Sequence, residues 1–140
     1  MMKRRVTWPL LLMLALLSGC AGMVSAPEQP ISVNSAVISL VEAAHADIAG
    51  GKPDAAVASL ERALRIEPSN PALWQELAKL RLQQGQYQQA EGLAARSNGW
   101  AGNNKTLRAE NWRIIGQARL KRGDYPGAQS AFDKAAELAN

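Results

Sequence analysis

From about residue 37 onward, apolar residues recur every three or four positions, the spacing of helices with one buried face, and that recurrence itself repeats. Counting from Trp112, the positions Ile115, Gly116 and Arg119–Leu120 fall on one face of a helix. Gly123-Asp124 breaks the run, and Pro126 sits where a new helix accepts proline in its first turn. Tyr125, Ala128, Phe132, Ala135 and Leu138 are then expected to line one face of the next helix. Small Gly116 and Ala128 would let the two backbones approach, with Trp112, Tyr125 and Phe132 filling the remaining volume. The same offsets counted from Trp74 give Leu77, Ala78, Gly85, Tyr87, Ala90, Ala94 and Ser97; counted from Leu40 they give Ala43, Ala44, Gly51, Pro53, Ala56, Leu60 and Ala63. The step from Leu40 to Trp74 is 34 residues and the step from Trp74 to Trp112 is 38, so about one helical turn is inserted. The insertion falls within Ser97–Thr106, where Asn98-Gly99 and Gly102-Asn103-Asn104 are stop and turn signals. The pattern predicts six helices, over 36–49, 54–67, 71–84, 87–97, 106–122 and 125–138, with Ser69-Asn70-Pro71 capping the third. The fold class is all-α, three pairs of antiparallel helices.

These markers resemble the tetratricopeptide (TPR) repeat, whose W-x2-L-G opening, later A-x3-F spacing and 34-residue period describe one helix pair. The resemblance spans repeats at about 37–70, 71–108 and 109–140 and implies a solenoid in which the first helix of each pair lines the concave side, where the family binds extended or helical peptides. By family offset the groove-facing residues are Ile38, Val41, His45 and Ile48, then Gln75, Lys79, Leu82 and Gln83, then Arg113, Gln117, Leu120 and Lys121. Where the family usually places a tyrosine, this chain has Asp47, Arg81 and Arg119; Ile48, Leu82 and Leu120 are expected to take over that packing. A solenoid needs polar ends. Gln129, Lys134 and Glu137 make the sixth helix either such a cap or a surface for self-association.

The N-terminal residues follow a different pattern. Lys3, Arg4 and Arg5 precede an apolar stretch from Val6 to Leu17, interrupted by Pro9 and ending in Leu17-Ser18-Gly19-Cys20. A dozen apolar residues are fewer than the ~20 a spanning helix requires, so the segment reads as a secretory signal. Its L-S-G-C ending resembles the lipobox of bacterial lipoproteins, which implies a signal peptide over 1–19, cleavage before Cys20 and covalent lipid on that thiol. Several acyl chains, at ~0.8 kcal/mol per buried methylene, hold a protein on a membrane where one would not. Ala21 follows the cysteine, in place of the aspartate that marks inner-membrane retention, which points to the periplasmic face of the outer membrane. Residues 20–36, with Pro27 and Pro30, are expected to be a flexible tether; the stretch after the cysteine spans at most about 50–60 Å when extended.

Charge adds little. The formal net charge of +4 includes Lys3, Arg4 and Arg5; without the signal, thirteen basic side chains face twelve acidic ones, which is no nucleic-acid footprint. The distribution is uneven, however: residues 37–70 sum to −2, 71–104 to +1 and 105–140 to +3. Arg113, Arg119, Lys121 and Arg122 on one helix either form a solvated basic face or receive an acidic or C-terminal carboxylate segment through charge-assisted hydrogen bonds. Trp100, in the inserted stretch, either covers the junction of the second and third repeats or serves as an interface anchor. One cysteine excludes a disulfide framework and one histidine, His45, excludes a histidine metal cluster. No nucleophile–base pair, phosphate loop or zinc spacing is present, so neither catalysis, a cofactor beyond the lipid on Cys20, nor a small-molecule substrate is expected.

Together these features resemble small TPR lipoproteins of the outer membrane. The block Arg108–Tyr125, containing N-W-R-I-I-G-Q-A-R, is similar to TPR-type activators of class A penicillin-binding proteins known from pseudomonads. That resemblance implies a periplasmic protein partner, a bifunctional peptidoglycan synthase, with Gln75, Lys79, Leu82, Arg113, Gln117, Leu120, Lys121 and Trp100 as its contact residues. Pilotins of pilus secretins, lipoproteins of outer-membrane assembly, and a self-associating scaffold are the alternatives.

Overall fold

The computed structural model describes residues 30–140. The signal segment and Cys20 lie outside the described residues. Six helices follow in order: α1 (Ser35–Ala49), α2 (Pro53–Ile66), α3 (Pro71–Gln83), α4 (Tyr87–Trp100), α5 (Lys105–Lys121) and α6 (Tyr125–Ala139). Their ends fall within one residue of the sequence expectation everywhere except at the end of α4.

Each pair closes through the same turn. Gly51, Gly85 and Gly123 occupy one repeat position and adopt φ of +71°, +75° and +82°, left-handed values open to glycine without steric cost. Proline or a polar cap then starts the next helix: Pro53 and Pro71 open α2 and α3, and Pro126 follows Tyr125 in α6. The repeat is thus written into local backbone chemistry before any packing occurs.

Packing proceeds along the stack. Val37, Val41 and Ala44 of α1, Val57, Leu60 and Leu64 of α2, and Leu73, Leu77 and Leu80 of α3 form one apolar core. Ala78, Ala90, Ala94, Ile114, Ile115 and Ala131 form the next, and Leu93 packs against both. The second core is alanine-rich, so its helices approach closely. Gly116 carries this furthest, since the Phe132 ring lies over it where a Cβ would be 2.5–2.9 Å away. The expected inner face of α6 is corrected in one respect: Tyr125 is exposed, because as the first residue of the helix it sits at the edge, while Ala128, Ala131 and Ala135 turn inward.

Two polar residues at the expected end of the fourth helix serve in packing. Ser97 and Asn98 both accept hydrogen bonds from the buried Asn111 amide, at 2.7 and 3.0 Å, and Ser97 Oγ donates to Pro71 O at 2.8 Å. These tertiary bonds hold the end of α4, which reaches Trp100 and at 14 residues equals α2; the inserted turn lies instead in the first part of α5, which has 17 residues against 13 in α3.

Residues 31–36, assigned to the tether from composition, belong to the folded domain. Asn70 Nδ2 donates to Ile31 O at 2.8 Å and to Glu67 Oε2 at 2.7 Å, while Ser32 Oγ donates to Glu67 Oε1 at 2.6 Å. Ile31 packs on the first core and Ser32 is buried. Residues 31–34 therefore form a strap docked on the α2–α3 connection. Asn70 also caps α3, its Oδ1 accepting from Ala72 N at 3.0 Å and Leu73 N at 3.4 Å. Asn70→Ala is expected to cost about 1–2 kcal/mol in urea unfolding and to speed amide exchange in Val33 and Asn34; an unchanged midpoint would mean that the strap is held elsewhere.

Candidate protein-binding surface

The helices form two layers, α1, α3 and α5 in one and α2, α4 and α6 in the other. α3 packs directly on α5, whereas among the described residues no Cα of α4 comes within 8 Å of α6. Closer spacing in the first-helix layer curves that part of the stack inward on its side. Side chains also link the first-helix layer. His45 Nε2 lies 3.1 Å from Glu76 Oε2, joining α1 to α3, and Gln75 Nε2 donates to Asn111 Oδ1 at 2.9 Å and Leu107 O at 3.2 Å, joining α3 to α5.

Gln75 is thereby removed from the contact set expected from sequence: it is only 8% exposed, and both bonds are needed to satisfy a buried amide. Val41, also expected to face the groove, belongs to the core. The other groove positions remain at the surface. Lys79 Nζ is 3.1 Å from Glu76 Oε1, and Arg113 Nη1 is 3.0 Å from Glu110 Oε2, both on their own helices. The exposed Arg113–Glu110 pair is weak and readily exchanged for a partner's carboxylate, whereas the Lys79–Glu76 pair is part-buried. Gln117 and Lys121 are exposed, and Lys121 has no acidic partner among the described residues.

The largest departure from expectation concerns Ile48, Leu82 and Leu120. These residues share one repeat position, and they do not take over the missing tyrosine packing. Ile48 is 36% and Leu120 44% exposed; Leu82 is half-buried against the second core. The arginines fill the tyrosine position in polar fashion. Arg81 Nη1 donates to Gln86 Oε1 at 2.9 Å and Gln84 Oε1 at 3.1 Å, and its Nη2 lies 3.8 Å from Glu61 Oε1. Arg119 binds Glu91 Oε1 at 2.7 Å and donates to Gly127 O at 3.3 Å, tying α4, α5 and α6 together, while Arg122 takes the other oxygen of Glu91 at 2.9 Å. The flanking aliphatic side chains are left on the surface as a row across three successive first helices. No sequence rule separates an arginine replacing a core tyrosine from a solvated one; a glutamate at the facing position of the neighbouring helix would have been the only signal.

The surface therefore combines an apolar row with the cations Lys79, Arg113 and Lys121. At its strap end lies a depression of about 470 Å³ bordered by Ile31, Asn70, Glu76, Lys79 and Leu107. Trp100 is elsewhere, at the last position of α4 in the outer layer and 52% exposed. Trp74 and Trp112 are half-buried markers, capped by Arg96 at 4.3 Å and Lys134 at 4.4 Å from their ring centroids. Among the described residues no cluster of three or more His, Cys, Asp or Glu side chains could hold a metal, and no helix is long and apolar enough to cross a membrane. A surface of this kind selects by shape and charge.

Comparison with known proteins agrees with this geometry. A tetratricopeptide-repeat family model matches residues 47–109. No curated protein matches the chain. Among solved structures, the globular C-terminal domain of LpoP from P. aeruginosa is 39% identical with a TM-score of 0.72, covering 75% of this chain and 99% of that domain. The N-terminal domain of stress-induced protein-1 (STI-1) from C. elegans is 15% identical with a TM-score of 0.69, over 75% of this chain and 87% of that one. The Sgt2 TPR domain from Aspergillus fumigatus is 24% identical with a TM-score of 0.67, over 81% and 72%. The last two share the fold alone. With the repeat, the fold and the identity to one whole domain in agreement, the chain is a protein-binding repeat protein of the tetratricopeptide-repeat family and belongs with the C-terminal domain of LpoP.

Proposed function

We propose that the protein is a lipoprotein of the outer membrane whose repeat domain binds and activates a class A penicillin-binding protein, the bifunctional synthase of peptidoglycan. The observation that carries this reading is the 39% identity to LpoP across that whole globular domain, supported by the likeness of Arg108–Tyr125 to activators of this type. The lipid on Cys20 holds the domain in the periplasm. The row Ile48, Leu82 and Leu120 takes apolar side chains of the synthase, and Lys79, Arg113 and Lys121, with Gln117 between the last two, meet its acidic groups. The protein contributes no reactive group. It raises the rate by binding the active conformation of the synthase more tightly than the inactive one, which is all that a shift of population requires.

The test is glycan polymerisation by the purified synthase with and without the repeat protein. Stimulation is expected, and it should fall together with affinity in the Leu120→Asp/Lys121→Glu variant, by about tenfold or more, equivalent to ~1.4 kcal/mol. Both residues are exposed, so unfolding is not the expected cause; circular dichroism checks that. A synthase that neither binds the wild-type protein nor responds to it refutes the proposal.

A further inference from the structure

Antiparallel pairing brings the starts of α1, α3 and α5 and the ends of α2, α4 and α6 to one edge of the stack. The strap enters there, since Ile31 and Ser32 bond to Asn70 and Glu67, and Pro30 and Asn104 border the same depression. Three of the large exposed apolar side chains also collect on this edge: Val33 at 94%, Ile66 as the last residue of α2, and Trp100 as the last residue of α4. Cations accompany them. Arg65 lies in the last turn of α2, Lys105 opens α5, and Arg108 follows one turn later. None of the three has an acidic partner among the described residues. Glu67, at the same edge, is engaged by Ser32 and Asn70; of the other acids nearby, Glu110 is paired with Arg113 and Glu137 lies on α6.

We infer that this edge is a membrane-docking surface, with Trp100, Val33 and Ile66 in the interfacial layer and Arg65, Lys105 and Arg108 on anionic headgroups. The inference rests on the lipid-anchor reading, and the docked strap gives it geometry. With residues 31–34 held on the domain, only the ten residues up to Pro30 separate Cys20 from the edge, at most about 36 Å when fully extended. The edge that the leash leaves is the edge that the leash holds at the lipid. Tryptophan favours the headgroup level, and basic side chains gain from an anionic surface within a Debye length. Docked in this way, the first-helix groove stands beside the bilayer and opens along it. That orientation suits a partner segment lying near the membrane.

The lipidated mature chain, placed on phosphatidylethanolamine–phosphatidylglycerol vesicles with brominated acyl chains, tests this by tryptophan quenching. A quenched component is expected in the wild type and lost in Trp100→Phe, and weakened in Arg65→Glu/Lys105→Glu. Equal quenching of the wild type and Trp100→Phe overturns the inference, whether or not a protein partner then covers Trp100. Val33→Ser, at an even more exposed site, gives a second reading if Trp100→Phe disturbs the fold. A purified chain whose mass shows no lipid would refute the anchor reading separately. Its Cys20 thiol can then be coupled to a maleimide headgroup, so the edge is still tested on a tethered domain.

Discussion

Asn111→Leu is expected to destabilise the domain by about 3 kcal/mol and to lower its melting temperature by roughly 10–20 °C. Asn111 is fully buried and is the centre of a buried polar cluster between the second and third repeats. Its amide donates to Ser97 and Asn98, and its carbonyl accepts from Gln75. Leucine fills the space but answers none of these groups, leaving the Gln75 amide with only its 3.2 Å bond to Leu107 O and Ser97 Oγ without its donor. Each buried group left unsatisfied costs about 1–3 kcal/mol. The mechanism makes a second claim. Gln75→Leu/Ser97→Ala/Asn111→Leu removes Asn111 together with two of its three side-chain partners, Asn98 remaining, so the triple variant should be more stable than the sum of its single changes by about 1–3 kcal/mol. Strict additivity in urea unfolding would show that the cluster does not act as a unit.

Gly116→Val should be comparably severe, at about 3 kcal/mol, and Gly116→Ala should cost about 1–2 kcal/mol despite the ~1 kcal/mol that alanine ordinarily gains over glycine within a helix. The cause is the Phe132 ring, three of whose carbons lie 2.5–2.9 Å from where the new Cβ would stand. Phe132→Leu in the Gly116→Ala background should recover part of the loss. Gly92 in α4 is the control: nothing lies within 4 Å of a Cβ built there, so Gly92→Ala should stabilise by about 1 kcal/mol. Thermal unfolding of the four proteins decides it. Equal effects at positions 92 and 116 would mean that helix propensity, and not close approach of α5 and α6, governs both.

The tertiary structure revised the reading of the site more than that of the fold. Lys79, Arg113, Gln117, Leu120 and Lys121 were identified from repeat offset and remain at the surface, because a position in a helical repeat predicts which way a side chain leaves its own helix. Offset cannot say what stands opposite. Gln75 and Arg113 hold equivalent positions in consecutive repeats, yet one is buried against Asn111 and the other is exposed. Leu120 was assigned to packing and lies exposed, because Arg119 beside it found Glu91 across a helix boundary, and Ile48, beside Asp47, is exposed as well.

The strap shows the same division. Its Pro30 and short polar residues are loop-like by composition, but Ser32 and Ile31 meet Glu67 and Asn70 thirty-five and thirty-nine positions away. Helix number, the 34-residue period, the left-handed turn glycines and the caps were readable in residue order, because each depends on dihedral preference and spacing within a turn or two of chain. Which polar residues lie inside, where α4 stops, where residues 31–34 dock and which edge carries Val33, Ile66 and Trp100 were decided only on folding. Those properties come from pairs distant in sequence, and a buried hydrogen bond or an exposed edge exists only once both partners have been brought together.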